Sequence, residues 1–68
     1  MNFSPKELEI LYMLLFRSVY AYILEYSIES ESDLDDEYRE KLTLMRKIDI
    51  PTSTLWEGKL IELMKGGD

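Results

Sequence analysis

Residues 9–24 read EILYMLLFRSVYAYIL, and after the opening glutamate only Arg17 and Ser18 are polar. No glycine or proline interrupts the chain between Pro5 and Pro51, so helix is the natural form for this run. At ~100° per residue the run projects onto a wheel that is apolar over most of its circumference. One seam holds Leu8, Tyr12, Leu15, Val19, Tyr22 and Tyr26, spaced alternately by four and three. Beside it lie Met13, Phe16, Tyr20 and Ile23, and beyond these Ile10, Leu14, Ala21 and Leu24. Glu7, Ser18 and Glu25 form the clear polar strip, with Lys6 and Arg17 on another edge. A surface helix buries an apolar stripe over roughly a third of its circumference. This helix has more apolar surface than that and must cover it.

Three covers compete. A membrane needs ~20 apolar residues, and Ile10–Leu24 falls short with Arg17 at its middle. Two shorter helices of the same chain can each cover one side, but not the whole length. The third cover is another chain. The expectation is that helices 2 and 3 take one side of helix 1 and a second copy takes the other. The seam Leu8, Tyr12, Leu15, Val19, Tyr22 and Tyr26 is the predicted self-association surface. Its tyrosines suit an interface, because the rings bury while the hydroxyls reach water. A homo-oligomer is predicted, with a dimer favoured; an antiparallel pairing of helix 1 makes that dimer symmetric.

Size supports the same view. The chain has 68 residues and no cysteine or histidine. A domain of this length buries only about 60% of its unfolded surface, and small scaffolds need a disulfide, a metal or a partner. Without cysteine there is no disulfide or thiolate metal site. Without histidine the commonest metal ligand and general base are missing. No catalytic, cofactor-binding or metal-binding residue is assigned, no cofactor is expected, and the chain does not read as an enzyme. The N-terminus lacks a basic region before its apolar run, so it does not read as a signal peptide; a cytoplasmic location is the simplest expectation.

Local signals divide residues 1–68, a single all-α domain, into a small bundle of one long helix and two shorter amphipathic ones. Ser4 and Glu7 have capping-box spacing, Pro5 fits the first helical position, and Phe3 can staple onto Leu8. Helix 1 is predicted over about 5–28. SIESESD at 27–33 breaks the apolar pattern. Helix 2 follows over about 34–48, capped by Ser32 or Asp33, with Asp35–Arg39 and Glu37–Lys41 as supporting pairs. Leu34, Tyr38, Leu42, Met45 and Ile48 form its apolar stripe. Pro51 separates it from helix 3, about 54–65, which Thr52 or Ser53 caps and Gly66 and Gly67 end. Gly58 within helix 3 either permits a close backbone contact or is simply tolerated.

Charge is concentrated. Eight acids lie between Glu25 and Glu40 against Arg39 alone, so this stretch carries −7 of a total of −6 and the rest sums to +1. Such a block repels phosphate backbones and anionic lipid and attracts basic partners. Glu29, Glu31, Asp33, Asp35, Asp36 and Glu37 are the predicted patch for a basic protein partner. A calcium-loop register from Glu29 to Glu40 fails because Leu34 occupies the position that requires glycine. The cations Lys41, Arg46 and Lys47 are too few for a nucleic-acid face, so neither direct nucleic-acid binding nor membrane binding is expected. The expected function is a non-enzymatic protein–protein interaction module, a small adaptor, inhibitor or regulator. The alternatives are an acidic nucleic-acid mimic that blocks a DNA-binding protein, and a structural subunit of a larger assembly.

Overall fold

The computed structural model describes residues 2–65. They form three α-helices, α1 (Pro5–Tyr26), α2 (Asp36–Lys47) and α3 (Ser53–Met64), with one short 3-10 turn at Glu31–Asp33. No strand occurs among the described residues. The all-α expectation holds, and the helix boundaries move by one or two residues.

α1 begins where the local signals place it. The Glu7 amide donates to Ser4 Oγ at 3.2 Å, and the Ser4 amide donates to Glu7 Oε1 at 2.8 Å. The bond from the Ser4 amide, aided by the Ser4 hydroxyl, holds the Glu7 carboxyl below its ordinary range. Phe3 stays 44% exposed. α1 ends two residues earlier than predicted. Ser27 adopts the left-handed conformation at φ 51°, ψ 47°, and the Ile28 amide donates to the Ile23 carbonyl at 3.1 Å. This six-to-one bond is a Schellman closure. It turns Ile28 back onto Ile23, and both side chains enter the core.

The start of α2 departs from expectation. Ser32 and Asp33 do not cap it; they belong to the 3-10 turn, and Asp35 is the N-cap residue. The turn is fixed by burial of Leu34, which is 3% exposed. Arg39 holds it from α2, donating to the Leu34 carbonyl at 3.0 Å and the Ser32 carbonyl at 3.3 Å. The predicted stripe of α2 faces inward, with Leu34, Leu42 and Met45 buried and Tyr38 and Ile48 half-buried. In α3, Thr52 is the N-cap residue, but its hydroxyl accepts from the Trp56 indole N–H at 3.1 Å rather than capping the backbone. Gly58 meets open space where a side chain would stand, so no close backbone contact explains it. The stop expected at Gly66 and Gly67 lies outside the described residues.

Cross-helix contacts fix the topology. Tyr38 stacks on Tyr22 with ring centroids 3.9 Å apart, and Lys41 Nζ donates to Ser18 Oγ at 2.8 Å. α2 therefore runs antiparallel to α1. Tyr12 donates to the Ser53 carbonyl at 3.0 Å, Phe16 meets Trp56 at 5.2 Å, and Leu63 and Met64 reach Ile23 and Ile28. α3 therefore runs parallel to α1, and the order is up, down, up. α1 is the helix on which both others pack. α2 and α3 make less direct contact with each other, where Arg46 joins Glu57 at 3.0 Å. The resulting shape is flat, 36 × 24 × 15 Å. No helix of the described residues is long and apolar enough to cross a membrane.

The core lies along one side of α1. Tyr12, Phe16, Val19 and Ile23 are buried there, together with Ile28, Leu34, Leu42, Met45, Ile50, Leu60 and Met64. At ~2 kcal/mol for each fully buried side chain, this row is the principal source of stability. Every buried side-chain polar atom among the described residues has a hydrogen-bond partner.

Candidate functional site

Once the core is accounted for, the outer side of α1 and the acidic end of the molecule stand out, alongside exposed Leu44 on α2 and exposed Leu55 and Ile61 on α3. The outer side is set by the projection of α1. With Tyr12, Val19 and Ile23 pointing inward, Ile10, Leu14, Arg17, Ala21 and Leu24 fall on the opposite side. All five are exposed, and the three large apolar ones are 53%, 58% and 56% accessible. Glu9, Ile10, Met13, Leu14 and Arg17 line a shallow depression on it. Arg17 makes no ion pair or hydrogen bond with a side chain among the described residues. It is exposed and lines the depression with Ile10, Met13 and Leu14, a setting in which a long basic side chain can lay its stem on apolar surface and keep its head group in water.

The seam predicted for self-association therefore needs correction. Tyr12 and Val19 are 1% and 0% exposed. Leu8, Leu15 and Tyr22 are half-buried against the same core. Only Tyr26 is well exposed, at 62%. The seam is the face that α2 and α3 cover, so it is not available to a second copy. The physical reason is the approach of α2 from the Ser18–Tyr22 side and of α3 from the Phe16 side, which encloses the seam between them. On α1 the accessible large apolar residues besides Tyr26 are Ile10, Leu14 and Leu24, which belong to the third strip of the wheel.

The acidic end gathers at the top of α1 and the start of α2. The structure separates its members into two kinds. Glu31 forms a two-pronged pair with Arg46, whose other side holds Glu57. Glu31 thus clamps the 3-10 turn to α2 and α3. Asp36 pairs with Arg39 at 3.7 Å, and Glu37 with Lys41 at 3.2 Å. The expected Asp35–Arg39 pair is replaced by the Asp36–Arg39 pair, because Asp35 sits before the helix as its N-cap. Glu29, Asp33 and Asp35 make no ion pair among the described residues, and all three are exposed. Asp33 accepts from Ser30 Oγ at 3.3 Å.

Aromatic rings border this end. Tyr22 contacts both Tyr38 and Tyr26, the latter at 4.8 Å between centroids, and Lys41 Nζ lies 4.7 Å from the centre of the Tyr38 ring. Partial desolvation, followed by the nearby Asp35 carboxylate, raises the Tyr22 phenol above its ordinary range. Burial, with Glu57 adding to it, does the same for Tyr12. Trp56 packs on Phe16, and Lys59 Nζ lies over its ring, 5.8 Å from the ring centre. No group of three or more acidic residues is arranged to hold a metal among the described residues.

Comparison with protein-family models, curated proteins and solved structures finds no match for this chain.

Proposed function

We propose that the chain is a non-enzymatic protein–protein interaction module that self-associates through the outer side of α1 and offers its acidic end to a basic partner. One observation carries the reading. Both remaining helices of the chain are already used on the inner side of α1, yet its outer side exposes Ile10, Leu14 and Leu24. An exposed apolar row of this kind is the sort of surface that serves as an interaction site. The acidic end supplies the second contact. Glu29, Asp33 and Asp35 project there without internal counter-charges, which favours encounter with cationic surfaces.

Leu14→Glu tests the proposal directly. Leu14 is 58% exposed, so the fold tolerates the change and circular dichroism retains the helical signal. Light scattering is expected to show a mass above the monomer for the parent chain and the monomer mass for the variant. A parent chain that is monomeric at all accessible concentrations refutes the self-association.

A further inference from the structure

The C-terminal ends of α1 and α3 border an open cleft of about 490 Å³. Leu24, Ile28, Leu63 and Met64 form its apolar wall, and Ser27 and Glu29 its polar edge. The closure of α1 builds it, because Ser27 turns the chain in the left-handed conformation and sends Ile28 back toward the helix. We infer that this cleft is where the basic partner is read, and that its occupant is a segment of that partner presenting an apolar side chain beside a lysine or arginine. The inference rests on the basic-partner half of the proposal above and is independent of self-association.

Charge selects the occupant. The last carbonyls of a helix have no partner within it and carry its negative pole. α2 answers that pole with Arg46 and Lys47 in its last turn, whereas α1 has no basic residue there. Among the described residues, the carbonyls of Leu24, Glu25 and Tyr26 accept no backbone hydrogen bond. Glu25 and Glu29 add charge at the same end; both are exposed, and neither has an ion pair among the described residues. On the α3 side Glu62 and Lys65 flank Leu63 and Met64 and offset each other. The cleft therefore joins an apolar wall to an uncompensated negative pole. Carbonyl and carboxylate oxygens accept and never donate, while lysine and arginine donate and never accept. An apolar side chain alone fills the wall and leaves these oxygens without a donor. A lysine or arginine alone serves the oxygens and leaves the wall wet. A segment carrying both satisfies both. The volume also lies within the range of small-ligand sites, but the acidic block continues from Glu29 through Asp33 and Asp35, which a peptide can follow and a small molecule cannot.

The probe is a synthetic amphipathic helical peptide of leucine and lysine, titrated into the isotope-labelled full chain while amide chemical shifts are followed. A leucine–glutamate peptide and a lysine–serine peptide serve as comparisons. The leucine–lysine peptide is expected to bind, with its largest shifts at Leu24, Ser27, Ile28, Glu29, Leu63 and Met64. The leucine–glutamate peptide is expected not to bind, and the lysine–serine peptide to bind about tenfold more weakly. Glu29→Lys is expected to weaken the leucine–lysine complex about tenfold, and Asp33→Lys about threefold or less. Both residues are exposed, and circular dichroism checks that each variant keeps its helices. Equal effects of the two substitutions, with the largest shifts around Asp33 and Asp35, overturn the cleft and leave the acidic end standing as the basic-partner surface. Largest shifts at Ile10, Leu14 and Arg17 also overturn it, as does equal binding of the leucine–glutamate peptide. Failure of both lysine peptides to bind overturns this inference and the basic-partner reading together.

Discussion

Replacing Arg46 by methionine removes the one side chain that joins α2 to both the 3-10 turn and α3. Its guanidinium meets Glu31 through two nitrogens and Glu57 at 3.0 Å. The three side chains are 43%, 44% and 36% exposed, so water screens the pairs and the carboxylates rehydrate once Arg46 is gone. An exposed pair contributes ~0.2–1 kcal/mol, with two-pronged geometry at the upper end. The two pairs together give an expected loss of ~1–2 kcal/mol. Methionine keeps most of the apolar stem, so the loss is electrostatic rather than a packing defect. For a domain this size, total stability is only ~3–10 kcal/mol, and ~1 kcal/mol shifts the melting temperature by ~4–8 °C. Urea titration at low salt measures the loss. Repeating it at high salt separates the cause, because screening weakens the parent and leaves the variant almost unchanged. A second arm with Glu31→Gln gives the coupling by a double-mutant cycle. An Arg46→Met chain within ~0.3 kcal/mol of the parent at low salt, with no coupling to Glu31, refutes the clamp.

Tyr12→Phe is expected to cost ~1 kcal/mol at neutral pH, because the Ser53 carbonyl loses its donor. The same change should flatten the alkaline limb of a stability–pH curve: Tyr12 ionises above its ordinary 10.0 when folded, so the unfolded chain loses the proton first and stability falls as pH rises past that value. A parallel decline in both chains argues against the assignment. Ser27→Gly is expected to stabilise the fold by ~0.5–1 kcal/mol, since glycine takes the left-handed corner at φ 51° without the steric penalty that serine carries. Chemical denaturation reads the gain, and a loss of stability there contradicts the closure described for α1.

The parts of the fold set by neighbours in sequence were legible. Ser4, Pro5 and Glu7 define the start of α1 through contacts three residues apart, and Pro51 separates α2 from α3. The start of α2 was not legible, because Ser32 and Asp33, the expected caps, lie within three residues of Asp35, the N-cap residue the fold uses, and all three are cap-forming types. Burial of Leu34 and the reach of Arg39 to the turn carbonyls decide among them, and both depend on the assembled core. The candidate surface was misplaced for a related reason. A helix that is apolar on nearly every side does not reveal which side its companions take. One signal did exist: Arg17 marks its own strip, with Ile10, Leu14, Ala21 and Leu24, as the side facing water. The acidic patch was legible as composition, but not the diversion of Glu31 into the Arg46 clamp.

The up, down, up order gives each shorter helix a docking site on α1 that needs no distant strand pairing. Chains with such local topology fold in microseconds to milliseconds. Encounter between two copies at micromolar concentration, at ~10⁵–10⁷ M⁻¹s⁻¹, takes roughly 0.1–10 s. Under the proposed self-association, each newly made molecule completes its own fold long before it meets another, and refolding should show a fast phase independent of dilution followed by a slow one that dilution delays.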